Sequence, residues 1–178
     1  IRETGIKTVQ QLAMLIGNGV LPYLYMLIEI IKNGLKRENE HQKVKTYTAL
    51  AIASLAEASY PYGIDYYNDI IKYLFEGIKI YKGKLLASYF KAIGNIIILM
   101  DVEVATRSAK IILPIIKKDF ISPDENIRRV ILNVLKQCLL VNGIDYSYVK
   151  EEISGDFFSS FWNRRMALDR KNYKGVKS

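Results

Sequence analysis

Nucleophiles and metal ligands are scarce in this chain, which holds one histidine and one cysteine in 178 residues. His41 stands in a charged loop with no second His or Cys at ligand spacing, so it reads as a solvated loop residue and not as part of a zinc or metallohydrolase centre. Cys138 lies inside ILNVLKQCLLV, the setting of a buried structural thiol. A single cysteine excludes a disulfide within the chain and fits a reducing cytoplasmic or nuclear compartment. Long hydrophobic runs are also missing. Runs such as IIILM, which stops at Asp101, fall well short of the about 18 residues a membrane helix requires, and no secretory leader pattern is present. Glycine-rich phosphate loops are absent, because GNG at Gly17 to Gly19 is not followed by a phosphate-binding strand and helix. The carboxylates Asp65, Asp69, Glu151 and Glu152 read as helix-start and surface charges. The expectation is a protein that is not an enzyme and uses neither metal nor cofactor.

What the chain does contain is apolar surface and positive charge. Half of its residues are hydrophobic and 25% are charged, which is enough apolar content for a continuous core. Lysine and arginine number 26 against 18 acids, a formal charge of +8 that favours polyanionic partners without requiring one. The first residue is Ile1 and the opening stretch already reads as helix, so the chain reads as a fragment of something longer.

No segment alternates with the period of a strand, whereas stripes of period 3.6 recur throughout, which predicts an all-α protein. Some helices are amphipathic. PYLYMLIEIIKNGL aligns Leu24, Ile28, Ile31 and Leu35 on one face, with Pro22 in its first turn. IDYYNDIIKYLFEGIKIY aligns Tyr67, Ile70, Ile71, Leu74 and Ile78, and VEVATRSAKIILPIIKKDF aligns Ala105, Ala109, Ile112 and Ile116, with a kink expected at Pro114. Between them lie helices apolar on more of their circumference: GIKTVQQLAMLIG, KVKTYTALAIASLAEA, KLLASYFKAIGNIIILM and NIRRVILNVLKQCLLV. Anchoring this second kind on Leu12, Leu50, Ile93 and Leu135 gives spacings of about 38, 43 and 42 residues, inside the HEAT and armadillo range. The connectors leave no room for the third helix of an armadillo unit. The expectation is a right-handed α-solenoid of about four HEAT repeats, in which the more apolar B helix packs on its own A helix and on both neighbouring units. The units run 1–20 (a lone B helix), 21–62, 63–101, 102–143 and 144–178. GIDY occurs at Gly63 to Tyr66 and again at Gly143 to Tyr146, with Gly ending one helix and Asp capping the next. Lys32 to Gln42 reads as an exposed, mobile charged loop. Tyr23, Tyr25, Tyr66, Tyr67 and Tyr73 read as rings packed between units and not as base-stacking platforms.

The positions of the cations carry more information than their number. Lys7, Lys43 and Lys45, Lys82 and Lys84, and Arg128 and Arg129 each fall in the first turn or two of a B helix. Stacked repeats would stack these charges into a ladder able to follow a nucleic-acid backbone. Cations there oppose the helix dipole slightly, which hints at a purpose. Solvated lysines and arginines near loops would look the same. A further basic cluster, NRRMALDRKNYKGVK, begins another B helix, and Phe161 and Trp162 before it complete a packing layer.

TGIKTVQQLAMLIG, QKVKTYTALAIASLAEASYPYGI, KAIGNIIILMD, SPDENIRRVILNVLKQC and FWNRRMALDRKNY, in this order and spacing, closely resemble the HEAT-repeat region of the largest subunits of splicing factor 3b, a component of the U2 small nuclear ribonucleoprotein. The resemblance covers essentially the whole chain. It implies a nuclear, non-enzymatic scaffold for pre-mRNA splicing. Its partners would be the intron branch-site region, U2 small nuclear RNA and other splicing factor 3b subunits, and no membrane. By matching position it places Lys7, Lys43, Lys45 and Lys84 on an RNA-facing ridge and adds Arg128 and Arg129. Glu3 in place of a histidine, a longer loop from Lys36 to His41, and Pro114 depart from the family pattern. A HEAT scaffold that binds proteins without touching RNA is the alternative.

Overall fold

The computed structural model describes residues 2–119, 122–141, 143, 144, 147, 148 and 151, and all of its regular structure is helical. Eight α-helices occur among the described residues: α1 (Arg2–Ile16), α2 (Leu24–Ile31), α3 (Asn33–Lys36), α4 (Gln42–Ser59), α5 (Asn68–Ile80), α6 (Gly83–Ile97), α7 (Val102–Asp119) and α8 (Glu125–Leu139). Short 3-10 segments, Gly17–Tyr23 and Ile64–Tyr67, lead into α2 and α5.

The helices form two layers. In the first, α1, α4, α6 and α8 lie side by side in that order. In the second, α2 and α3 pack on α4, α5 packs on α6, and α7 packs on α6 and α8. Each first-layer helix is reached by way of a returning second-layer helix, so α1, α4, α6 and α8 all point the same way. The register of α4, α6 and α8 is fixed by polar bonds. Asn95 Nδ2 in α6 donates to the Ala53 carbonyl of α4 at 2.9 Å, 42 residues away, and Gln137 Nε2 in α8 donates to Asn95 Oδ1 at 2.7 Å, again 42 residues away. Gly94 makes room for this ladder: a Cβ there would overlap the Gln137 amide oxygen.

This register differs from the spacing expected between Leu50 and Ile93. A slip of one residue turns a side chain by about 100°, enough to carry it from the core to solvent. Accordingly Ile93 and Leu135 are buried, whereas Leu50 is half-buried and Leu12 is 41% exposed.

Helix α4 is buried around most of its circumference, with Ala49, Ala51, Ala53 and Ala56 among residues fully withdrawn from solvent. Alanine lets neighbouring helices approach on three sides. The amphipathic stripes also meet the core: Leu24, Ile28, Ile31, Leu35, Ile70, Leu74, Ile78, Ala105, Ala109, Ile112 and Ile116 are buried, and Ile71 is half-buried. Pro22 lies in the 3-10 segment and not in an α-helical first turn. Pro114 sits inside α7, which spans it without interruption. Gly63 takes the left-handed conformation, φ 92°, while Asp65 makes no capping bond at that helix start. The second GIDY lies partly outside the described residues, as do Glu152, the basic cluster from Asn163 onward, Phe161 and Trp162.

The tyrosines divide. Tyr67 is buried, its hydroxyl 3.2 Å from Ser59 Oγ, and Tyr73 is half-buried against the core. Of the others expected between units, Tyr25 of α2 and Tyr66 of the 3-10 segment before α5 do pack on each other, ring centroids 6.0 Å apart, although Tyr23, Tyr25 and Tyr66 are 55%, 63% and 45% exposed. These rings lie at the solvent side of the second layer and its entry turns.

The stretch Glu3–Lys36 is apolar and long enough to cross a membrane by length and composition alone, a property shared with core helices. It is broken at Gly17, φ 50°, by the 3-10 segment, and Leu24, Leu27, Ile28 and Ile31 beyond that break are buried in the protein core.

Candidate nucleic-acid interface

A first-layer helix has four sides. In α4 and α6 two are taken by neighbours in the row and one by the second layer, which leaves one open. In α4 the solvent-facing positions are Lys43, Leu50 and Glu57, and in α6 and its C-cap they are Lys84, Lys91 and Ile98, each set spaced by seven residues, two helical turns. The same spacing picks out Lys7 and Met14 in α1, and Arg129 and Lys136 in α8. The open side of the first layer is therefore a single face, and its first row is cationic in all four helices: Lys7, Lys43, Lys84 and Arg129.

These four are held differently. Lys7 Nζ rests 4.3 Å from the centroid of the Tyr47 ring on α4, a cation–π contact that spans two helices. Lys43 is exposed, and its backbone N–H donates to His41 Nδ1 at 3.1 Å, so His41 is the cap of α4 and not an idle loop residue. Lys84 is exposed in the first turn of α6. Arg129 is exposed and 3.7 Å from Glu125 one turn earlier, a surface pair with little hold on the side chain.

The other two expected cations do not stand in this row. Lys45 is only 4% exposed, and its Nζ donates to the Arg37 carbonyl at 2.7 Å and the Leu35 carbonyl at 3.3 Å. Two residues after Lys43, it lies about 200° around the helix, on the opposite side. Burial lowers the pKa of its ammonium, and Glu40 and Glu38 partly oppose that shift. Arg128 is half-buried and donates from Nη1 to the Ser122 carbonyl at 2.7 Å. Lys45 and Arg128 are each the fourth residue of their helix, and both collect carbonyls from the preceding connector. That accounts for cations set against the helix dipole: they satisfy carbonyls where the chain enters the helix. It also corrects the loop expected from Lys32 to Gln42. Asn33–Lys36 is helical with Gly34 and Leu35 buried, and Lys45 ties down the residues that follow.

One exposed cation of the open face, Lys91, lies two turns after Lys84 and not in a first turn, and Lys136 holds the matching position in α8 but is half-buried. The signal that finds them is their spacing of seven residues from Lys84 and Arg129. The second row they form is uneven, because its α1 and α4 members are Met14 and Leu50.

Among the described residues no group of three or more His, Cys, Asp or Glu side chains could hold a metal ion. Burial pushes the Cys138 thiol up to about 12, so it is an inert core group. What the open face offers chemically is a set of positive charges at helix spacing, suited to phosphates or carboxylates.

No family model matches the chain. It is 42% identical over 175 residues to the U2 snRNP component prp10 of Schizosaccharomyces pombe and 44% identical over 175 residues to the U2 snRNP component HSH155 of Saccharomyces cerevisiae. Both matches cover 98% of this chain, which in turn spans 14% and 18% of the length of these relatives. Identity at that level across nearly every described helix leaves no room for chance similarity, and the chain belongs, as a segment, to the family of U2 snRNP components that includes prp10 and HSH155.

Proposed function

We propose that this chain is a segment of a right-handed HEAT solenoid that acts as a non-enzymatic scaffold in pre-mRNA splicing, within a U2 small nuclear ribonucleoprotein in the nucleus. In this reading the units are 1–20, 21–62, 63–101, 102–143 and 144–178, and the open face contacts intron RNA around the branch site. The observation that carries it is the cationic first row, Lys7, Lys43, Lys84 and Arg129, held on one face by parallel helices in bonded register. Kinship to U2 snRNP components supports the setting. The role is positional: phosphate contacts orient the RNA, while base pairing between RNAs supplies sequence. U2 small nuclear RNA and other splicing factor 3b subunits are the partners this implies.

Salt dependence tests the RNA contact. With about four phosphates neutralised, log affinity for single-stranded RNA falls with log salt at a slope near −2.8, and Lys43→Glu weakens binding whatever the sequence. A flat response refutes it. The second reading, a scaffold that meets proteins without touching RNA, draws on the exposed rings of Tyr23, Tyr25, Tyr60, Tyr62 and Tyr66. Aromatic side chains of this kind are enriched in protein interfaces.

A further inference from the structure

We infer that the rim of the second layer between α2 and α5 docks an arginine-rich segment of a partner protein, held by the rings of Tyr25 and Tyr66 and by the carboxylates of Asp65 and Asp69. This surface belongs to the other layer from the cationic row and does not rest on the RNA reading.

Its geometry comes from two facing helix starts. Tyr25, in the first turn of α2, and Tyr66, in the 3-10 segment before α5, have ring planes inclined at 59°, so they form an angled pair with both rings open to solvent and not a closed stack. One turn further along each helix, at Glu29 and Asp69, the surface becomes acidic. Lys32 Nζ lies 2.6 Å from the Glu29 carboxylate and 3.6 Å from that of Asp69, whose side chain remains 68% exposed. Asp65, beside Tyr66, is exposed and has no ion-pair partner among the described residues. The two helix starts rest on each other: a Cβ on Gly63 would come within 2.6 Å of Leu24 Cδ2, so the turn before Tyr66 lies directly against the start of α2.

The charge around these rings runs against that of the chain. The formal charge is +8, yet residues 8–31 and 46–71 contain no lysine or arginine. Those stretches build most of α1 and α4, both 3-10 segments, all of α2 and the first turn of α5. At the strip itself Glu29, Asp65 and Asp69 stand against Lys32 alone, three carboxylates and one ammonium, which leaves it two charges negative. Lys72, the next cation along α5, is held 5.0 Å from the centroid of the Tyr73 ring. A phosphate backbone is repelled by such a surface, whereas a guanidinium fits it. The face of a guanidinium stacks on an aromatic ring while its edge donates to a carboxylate, and here the two stand about one turn, 5.4 Å, apart. A lysine ammonium, a compact and strongly hydrated charge, uses the carboxylates but stacks less well. The first turn of a helix suits acids by itself, but that preference explains neither the exposed ring pair nor the missing cations.

The test is the fluorescence anisotropy of a labelled peptide of alternating arginine and glycine, titrated with the intact protein at low salt. Tyr25→Leu and Tyr66→Leu each weaken binding by about 2- to 5-fold, Asp65→Asn and Asp69→Asn do so to a similar extent, and Tyr66→Phe keeps the affinity of the parent. The matching lysine and glycine peptide binds more weakly than the arginine one. Lys43→Gln leaves peptide binding unchanged whether or not it weakens binding of an oligouridylate, so this inference and the RNA reading fail separately. Equal weakening by Glu57→Gln, an exposed acid on the open face of α4, overturns the inference, because any surface carboxylate would then serve. An affinity unchanged in Tyr25→Leu and Tyr66→Leu also overturns it, since charge alone would then account for the binding. Loss of oligouridylate binding in these two variants, with no binding of the arginine peptide to the parent, overturns it in favour of base stacking.

Discussion

Replacing Asn95 with alanine removes the two hydrogen bonds that set the register of three parallel helices. Its Nδ2 donates to Ala53 at 2.9 Å and its Oδ1 accepts from Gln137 at 2.7 Å, with the side chain half-buried. A neutral intramolecular bond contributes about 0.5–1.5 kcal/mol net. The Ala53 carbonyl lies in mid-helix and keeps its helical partner, and Gln137 can turn toward water, so no group is left stranded. The expected loss is about 1–2 kcal/mol, a fall of roughly 2–8 °C in Tm for a protein of this size. A double-mutant cycle in urea isolates the ladder. Asn95→Ala and Gln137→Ala couple by about 0.5–1.5 kcal/mol, whereas Asn95→Ala and Thr8→Ala, far apart and without shared partners, add to within about 0.3 kcal/mol. Additive effects of the 95 and 137 substitutions would refute the bond.

Two further outcomes follow from buried groups. Lys45→Met removes a charge-assisted bond of about 1.5–3 kcal/mol together with the desolvation that burying an ammonium costs, so equilibrium denaturation should show a net loss of about 1–2 kcal/mol. Because burial lowers the Lys45 pKa from 10.5, the unfolded state binds more protons just below that value. The Lys45 contribution therefore rises with pH in that window, and the variant loses the rise. For Cys138, raised from 9.0 to about 12, the sign is opposite: its contribution is intact below pH 9.0 and is lost as pH climbs toward 12. Cys138→Ala flattens the stability profile over that range, and a thiol reagent labels the parent at pH 7 only at the rate of unfolding.

The helices and their buried stripes were legible because helical periodicity and core burial are the same fact viewed twice. Ile70, Leu74 and Ile78 were assigned to the core from spacing alone and lie there. The open face was harder. Lys43 and Lys45 look equivalent in sequence, yet two residues separate opposite sides of a helix, and only the contact with the Leu35 and Arg37 carbonyls sorts them. Leu50 resembled a core anchor because the repeat alignment slipped by one residue, which geometry punishes and sequence similarity does not. Lys91 was legible in principle from its spacing to Lys84 but lies two turns further into α6 than the helix start. The tyrosines were legible in part, because an amphipathic ring fits both a core rim and an open surface: Tyr67 is buried, Tyr25 and Tyr66 pack on each other at the surface, and Tyr23 is exposed.

The fastening of connectors by Lys45 and Arg128 has a consequence for how such chains can vary. The loop leading into α4 is closed at its base by the buried Lys45, and the residues just before α8 are held by the half-buried Arg128, each cation bonded to carbonyl oxygen of the incoming chain. Residues inserted beyond that clasp lengthen a surface loop at small entropic cost, since each doubling of loop length costs only about 0.6 kcal/mol. The distance from one first-row cation to the next is set by helix contact and not by loop length. Insertions and deletions can therefore accumulate at these two rims while the spacing of charge across the face stays constant.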